Sequence, residues 1–537
     1  MTVTEDHFVR MSDGVELAVR VHRPEGAGQW PSLFGVSPYR FDNDDVPDTK
    51  MFLWRETGPI HWYVAQGYAY VRLDVRGTGR SGGDYEFFSL RERRDLYEVI
   101  EWIAAQSWCT GKIGGIGESY YGMSQWCMAA EQPPHLACIA PYDGHVDIYN
   151  GWAYTGGVPS EFMGVWWNAN VRPINRSPGN GAKGRAIPYD VPYQVGLHPT
   201  FDEFWQERAI LDQLADVTIP VFSIGVWAKM DLHLGGNILG WEAVKGPKWL
   251  MVTGAPNAFE ACAEFEHEAF HHKYLLPFYD RYLKGIENGF ENRPPVDMFL
   301  RGAGRYEPHR TWPPADVEER CFFLGEGKSG VVQSLNDGRL ADAAPAAEQA
   351  VTSYDYPDPS WTIGVSTLGE AGPDPLKAIL TFTSDPLGAP MTIAGASELV
   401  VYLSSTAPDT DLIVRVSDMP PPESKRRPAV ITKGWLRASH RRLDAERSRP
   451  RSPVLDHRSE QTLTAGEIVE CRVPLMHAHY RAEPGTRLRI EIANGDSPVT
   501  DPIFSHSYTP NKVGRDTLHH SARYPSRLLL SVRPKPA

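Results

Sequence analysis

Residues 115–126 read GIGESYYGMSQW, with Ser119 two positions after Gly117 and three before Gly122. A nucleophilic serine needs a sharp strand-to-helix turn that exposes its hydroxyl. The backbone crowds its neighbours at such a turn, and Gly117 relieves that crowding ahead of the serine. Tyr121 stands where a glycine usually follows two residues after the nucleophile, and Gly122 comes one place later. The N–H of Tyr120, at the start of the ensuing helix, would point at a developing oxyanion. These residues predict Ser119 as an acyl-transfer nucleophile. A second constellation competes with it. Residues 267–271 read His-Glu-Ala-Phe-His, so His267 and His271 would share one helix face and could bind zinc, with Glu268 as base. No third ligand follows at a recognised spacing, and among 18 histidines a chance match is ordinary. The expectation is no metal and no cofactor, with an HExxH zinc hydrolase as the minor alternative.

These groups need elements to position them. Val15, Leu17, Val19 and Val21 alternate with more polar neighbours, which predicts a half-buried strand. Short apolar runs at 32–36, 68–75, 112–117, 136–142, 219–227 and 248–254 predict further strands. Leu96, Val99, Ile100 and Ile103 share one helical face, and Met123, Trp126, Cys127 and Ala130 start a second helix after Gly122. Strands alternating with helices imply an α/β fold with a mostly parallel sheet covered on both faces. Residues 146–217, rich in Trp, Tyr, Asn, Gly and Pro, break that rhythm and read as an inserted cap. After residue 292 helical periodicity disappears. Strand patterns at 398–405, 411–418, 431–439 and 486–494 then predict an antiparallel β-sandwich, with 324–350 as a long loop. The expected division is 1–145 and 218–292 for the α/β core, 146–217 for the cap and 293–537 for the all-β domain.

Composition limits the partners. Lys and Arg total 54 against 67 Asp and Glu, giving a net charge of −13, which disfavours nucleic acid and anionic membranes. The Arg-rich stretch 425–458 reads as a solvated loop or a subunit contact, which leaves room for a homo-oligomer. The first residues carry no basic start and no apolar run, and no stretch is long enough to span a bilayer. With six sparse cysteines and no CxxC, a cytoplasmic protein with reduced thiols is expected.

Several motifs together resemble the cocaine-esterase-like serine hydrolases, a group related to X-Pro dipeptidyl-peptidases and α-amino-acid ester hydrolases. They are SPYRFD at 37–42, RLDVRGTGRSGG at 72–83, EWIAAQSWCTGKIGGIGESYYG at 101–122, YLKG at 282–285, GTRLRIEIA at 485–493 and YPSRLLLSV at 524–532. The resemblance covers nearly the whole chain. It implies an α/β-hydrolase domain, a helical cap inserted in it and a C-terminal jelly roll. It matches Ser119 to the nucleophile and Tyr39 to a tyrosine whose hydroxyl completes the oxyanion hole. A phenol at the end of an early strand, beside the nucleophile strand, can indeed donate there. The family's triad aspartate follows the next-to-last parallel strand, where Asp231 is the carboxylate in VWAKMDLHL. It would orient the base and stabilise its cation.

The base itself departs from the pattern. Where the family carries histidine after the last strand, TGAPNAFEA places Asn257 and Ala258, and neither accepts a proton at neutral pH. His267 is the replacement candidate, because it lies between the last strand and the final helix; His145 and His233 are weaker ones. That same final helix takes up the HExxH residues. The expected activity is hydrolysis of an ester, lactone or amide acyl bond of a small to medium molecule through a Ser119 acyl-enzyme. The alternative is a hydrolase scaffold turned to non-hydrolytic catalysis or binding.

Overall fold

The computed structural model describes residues 2–42, 55–178, 183–356, 379–496, 506 and 513–534. The chain divides into two compact units. The first comprises residues 1–152, 163–198 and 203–298, and the second 153–162, 199–202 and 299–537.

The first unit is built on a twisted sheet. Its strands are β1 (Thr2–Arg10), β2 (Glu16–Pro24), β3 (Trp30–Ser37), β4 (Ala69–Asp74), β5 (Cys109–Gly115) and β6 (Leu136–Ile139). After the short hairpin strands β7 (Tyr154–Thr155) and β8 (Val158–Pro159), which belong to the second unit, come β9 (Val221–Val226), β10 (Lys248–Thr253) and β11 (Val296–Leu300). The spatial order is β1-β2-β4-β3-β5-β6-β9-β10-β11. Pairings from β4 onward are parallel, while β1 and β2 run antiparallel at one edge. Strands β4 and β9 are buried along their whole length, as expected where helices cover both faces.

The helices are α1 (Ile60–Ala65), α2 (Leu90–Ala104) and α3 (Tyr120–Glu131), then α4 (Phe162–Val165), α5 (Arg172–Arg176), α6 (Val191–Leu197), α7 (Glu203–Arg208) and α8 (Leu211–Leu214) in the inserted region. Beyond it lie α9 (Gly235–Ala243), α10 (Ala258–Glu266), α11 (Glu268–Phe270) and α12 (Leu276–Leu283). Helix α2 starts with a reciprocal cap: Ser89 Oγ accepts from the Glu92 N–H, and Glu92 Oε2 accepts from the Phe88 N–H. Its buried stripe contains Leu96, Val99, Ile100 and Ile103, the four residues that periodicity placed on one face.

The helices of the inserted region are short, and its large aromatics pack both on one another and on Tyr85, Phe87 and Tyr120. Trp152, Trp166 and Trp167 are almost completely buried, with neighbouring ring centroids 5.2 and 6.0 Å apart.

The second unit is all β. Its strands are β12 (Arg305–His309), β13 (Glu318–Lys328), β14 (Gly338–Ala341), β15 (Val351–Tyr356), β16 (Leu380–Ser384), β17 (Met391–Ser405), β18 (Asp411–Met419), β19 (Ala429–Arg437), β20 (Val469–Ala482), β21 (Arg487–Ala493), β22 (Gly514–His519) and β23 (Arg527–Arg533). Strand β23 pairs with both β13 and β17, which closes the sheet on itself around a core including Leu399, Val401, Val414, Ile431, Val473, Ile490 and Leu528. The long loop expected over 324–350 contains the end of β13 and all of β14. Phe322, Leu324 and Leu340 bury into that core, a hydrophobic signal too short to stand out among Gly and Ala. The arginines of 425–458 are largely spoken for within the unit: Arg437 forks Asp411, Arg426 reaches Asp418 and Arg442 reaches Asp456. All six cysteines are free thiols. Among the described residues no helix is long and apolar enough to cross a membrane.

Candidate active site

Strand β5 ends at Gly115, and within four residues the chain turns into α3. Gly117 takes φ +126°, and a Cβ there would lie 2.2 Å from Cβ of Tyr121, so only glycine fits. Ser119 follows at φ +61°, a left-handed conformation that costs a non-glycine residue about 1–3 kcal/mol. The turn is pinned on both sides. Glu118 N–H donates to the Glu56 carbonyl at 2.9 Å, and Ser119 N–H donates to the Tyr142 carbonyl at 3.1 Å. The displaced glycine now has an explanation. A Cβ on Gly122 would sit 2.6 Å from the Tyr142 oxygen, so the close approach of α3 to this neighbouring loop falls three residues after the serine. Tyr121 is free to be large because its ring packs over Gly35.

Helix α3 begins at Tyr120, whose N–H is one of the first-turn donors that no intrahelical carbonyl can accept. Its side chain points elsewhere: the hydroxyl donates to Glu92 Oε1 at 2.7 Å, and the ring stacks on Phe88 at 4.2 Å. Tyr39 lies just beyond β3, 9% exposed, with its ring centroid 6.2 Å from those of both Tyr120 and Tyr121. Trp166 Nε1 donates to Tyr39 Oη at 2.9 Å and so orients the phenol. Burial, with the nearby Glu56 carboxyl, pushes the Tyr39 phenol well above its ordinary range, which keeps it a neutral donor. The structure thus places Ser119, the Tyr120 N–H and Tyr39 around one turn.

A charge that the spacing did not announce also lies beside that turn. The group that the loop after β9 sends to the elbow is the ammonium of Lys229. It is 4% exposed and sits two residues before Asp231. Lys229 Nζ pairs with Glu118 Oε1, lies 2.9 Å from Asp143 Oδ2 and donates to Cys262 Sγ at 3.3 Å. Glu118 adjoins the nucleophile, and Asp143 follows the residue that receives the Ser119 N–H. Cys262 Sγ in turn donates to Glu118 Oε1 at 3.0 Å. Desolvation opposes the Lys229 charge, but Asp143 and Glu118 hold its ammonium well above the usual range. Burial pushes Asp143 up to about 7, with Lys229 pulling it down and Glu118 raising it. Burial also lifts Glu266 to about 7 and Glu56 well above the carboxylate range, Glu118 adding to both. Asp231 itself is buried in the helical turn Met230–Leu234.

The candidate bases bond elsewhere. His267 is exposed and caps α11, its Nδ1 accepting from the Ala269 N–H at 3.2 Å. Its position after the last strand made it the replacement for the missing histidine, but the ring serves its own helix end. Asn257 has the same kind of duty: its Oδ1 accepts from the Glu260 N–H at 2.9 Å and caps α10, which Ala258 begins. His145 Nδ1 accepts from the Asp147 N–H at 2.9 Å, and burial drops the ring to about 3. His233 Nδ1 accepts from Trp152 Nε1 at 3.4 Å, and burial beside Lys229 and His145 holds it well below its ordinary value. Among the described residues, no hydrogen bond joins an imidazole to the Ser119 hydroxyl.

The HExxH stretch is not a metal centre either. The helix breaks at His267, so the spacing does not lie on one continuous turn. Both ring nitrogens of His271 are committed, Nδ1 to the Tyr63 hydroxyl at 2.9 Å and Nε2 to the Phe265 carbonyl. The zinc alternative drawn from these residues is therefore corrected. His271 is a buried neutral packing histidine, which burial drops to about 3.

Comparison with known proteins covers both units. The model of the X-Pro dipeptidyl-peptidase (S15 family) matches residues 13–255, and that of the X-Pro dipeptidyl-peptidase C-terminal non-catalytic domain matches 288–529. A cocaine esterase from Rhodococcus sp. is 26% identical, with 99% of this chain and 98% of the relative covered. A putative serine esterase from Mycobacterium bovis is also 26% identical, over 91% of this chain and 90% of its own. Among solved structures, a CocE/NonD family hydrolase from Staphylococcus aureus superposes with a TM-score of 0.82 at 24% identity, covering 99% of this chain and 94% of the other. At that identity the superposition speaks for the fold alone.

Proposed function

Since the chain belongs to the cocaine-esterase-like and X-Pro dipeptidyl-peptidase family of serine hydrolases, we propose that it cleaves an acyl bond of a small to medium molecule with Ser119 as nucleophile. The observation that carries this reading is the strained elbow, which holds Ser119 at φ +61° between β5 and α3. In the proposed reaction Ser119 Oγ adds to the carbonyl carbon as its hydroxyl proton passes to water. The oxygen that gains charge is met by the Tyr120 N–H and the Tyr39 hydroxyl. Loss of the leaving group gives an acyl-enzyme, which water then hydrolyses.

The surroundings of the serine narrow the substrate. An amide expels an amine, which must be protonated as it leaves, and a triad histidine supplies that proton. An activated ester, such as that of an acidic phenol, expels a stable oxygen anion that needs no such help, and the alkoxide of a lactone takes its proton from water. With no imidazole bonded to Ser119 among the described residues, esters, lactones and activated acyl groups fit this site, and peptides do not. Hydrolases stripped of their triad keep only about 10³–10⁴-fold acceleration over water, from the oxyanion hole and binding. Slow turnover of activated esters is the expected behaviour.

The Lys229 cage favours a second reading: a pocket of this scaffold used for binding or for non-hydrolytic chemistry. Labelling with a fluorophosphonate distinguishes the two. Stoichiometric labelling that disappears in Ser119→Ala supports the hydrolase. A folded protein that does not label refutes it and leaves the second reading.

A further inference from the structure

Three metal-type donors converge in the all-β unit, far along the chain from Ser119. Glu307 and His309 lie two apart on β12 and therefore on the same side of the strand. His479, with no exposed surface, faces them from β20. One ligand atom from each lies within 4.8 Å of the other two. Glu307 Oε2 and His479 Nε2 are 3.5 Å apart, and the His309 and His479 rings meet edge to face at 5.0 Å between centroids. For tetrahedral zinc with ligand bonds near 2.0–2.1 Å, neighbouring donors should be roughly 3.3 Å apart. One pair already meets that spacing.

Hydrogen bonding within the chain does not account for two of these groups, Glu307 and His309. Glu307 Oε2 and His309 Nε2 are buried, yet neither has a hydrogen-bond partner. Buried polar atoms are normally paired, and an exception calls for a ligand, an ion or water. The neighbouring Arg533 does not fill the gap. Its Nη1 is 3.5 Å from Glu307 Oε2, but its Nε and Nη2 bond to Asp316, which draws the guanidinium aside.

We propose that Glu307, His309 and His479 form a binding site for a divalent transition-metal ion, tying β12 to β20. Two imidazoles and one carboxylate select zinc, cobalt or nickel over magnesium and calcium, which prefer all-oxygen sets. The site is separate from Ser119 and from the 267–271 stretch, so it stands or falls independently of the hydrolase reading.

The test uses the full chain, stripped with a chelator and titrated with Co²⁺ and Zn²⁺. One equivalent should bind, with the d–d absorption of a low-symmetry Co²⁺ site and quenching of Trp312, whose ring is 5.4 Å from that of His479. Glu307→Gln and His309→Ala, at the partly exposed side of the cluster, should each weaken binding at least tenfold. Arg533→Ala should tighten it, since a competing cation is removed. His267→Ala should change nothing. The proposal is overturned by absence of stoichiometric uptake, by uptake indifferent to Glu307→Gln and His309→Ala, or by uptake lost in His267→Ala. The wholly buried His479 is not substituted, so a folding failure cannot imitate the result.

Discussion

Replacing Lys229 by methionine tests whether its ammonium holds the elbow together. The side chain is buried, and its charge is shared between Glu118 and Asp143. Removing one partner of a buried ion pair costs about 3–5 kcal/mol, because the remaining charge loses both water and counter-ion. At about 2 °C per kcal/mol for a unit of this size, Tm should fall by roughly 6–10 °C. The loss should also depend on pH. Lys229 pulls the Asp143 carboxyl down against its burial, so without the ammonium Asp143 rises further above its unfolded value. A carboxyl shifted in that direction stabilises the fold at low pH and loses that contribution as pH rises through the folded value. The gap between parent and variant, read by differential scanning calorimetry, should therefore be small near pH 5 and widest near pH 8. Adding Glu118→Gln and Asp143→Asn to Lys229→Met removes the stranded charges and should recover most of the loss. A variant within a degree or two of the parent at pH 8, or a deficit that shrinks as pH rises, would refute the reasoning.

Two further outcomes follow from the same geometry. With a p-nitrophenyl ester, Tyr39→Phe should lower kcat by about 10²–10³ with little change in KM, as for loss of an oxyanion donor; a loss under threefold would remove the phenol from that role. Burial pushes Glu92 up to about 7, against the hydrogen bonds from Tyr120 and Phe88, so its contribution to stability fades as pH climbs from the ordinary 4.5 to about 7. Glu92→Gln should flatten the stability–pH curve over that interval by on the order of 3 kcal/mol, measured by urea unfolding; parallel curves would contradict the assignment.

What the sequence made legible was local. The α2 stripe from Leu96 to Ile103 and the turn at Gly117–Ser119 are written in spacing, and the structure forms both. The Lys229 contacts are not local: its partners Glu118 and Cys262 lie 111 and 33 residues away. In VWAKMD the lysine reads as a spacer before an aspartate, because carboxylates are the expected chemistry there. One signal was available. A charged residue three places after a buried apolar strand needs a counter-charge, and the elbow itself offers one in Glu118. The cap at His267 was hidden for a similar reason: nothing in the sequence shows that the chain breaks there and uses the ring as a cap.

The elbow and the base therefore carry separate information. Ser119 serves as structure through its backbone: its N–H binds Tyr142, and its carbonyl receives the Met123 N–H at 2.8 Å as α3 begins. Any residue could make those two bonds, and glycine could make them at φ +61° without strain. A serine there costs about 1–3 kcal/mol that the turn does not require. That strain is the observation behind the proposed use of the Ser119 hydroxyl, while Asn257 and His267 are occupied as helix caps. A buried ammonium beside the elbow is consistent with that chemistry being anionic. Lys229 cannot accept a proton while Asp143 and Glu118 hold it charged, but it fixes the two residues that frame the turn. Among the described residues no imidazole bonds to the Ser119 hydroxyl, and that observation underlies the proposal that the site takes acyl groups already prepared to leave.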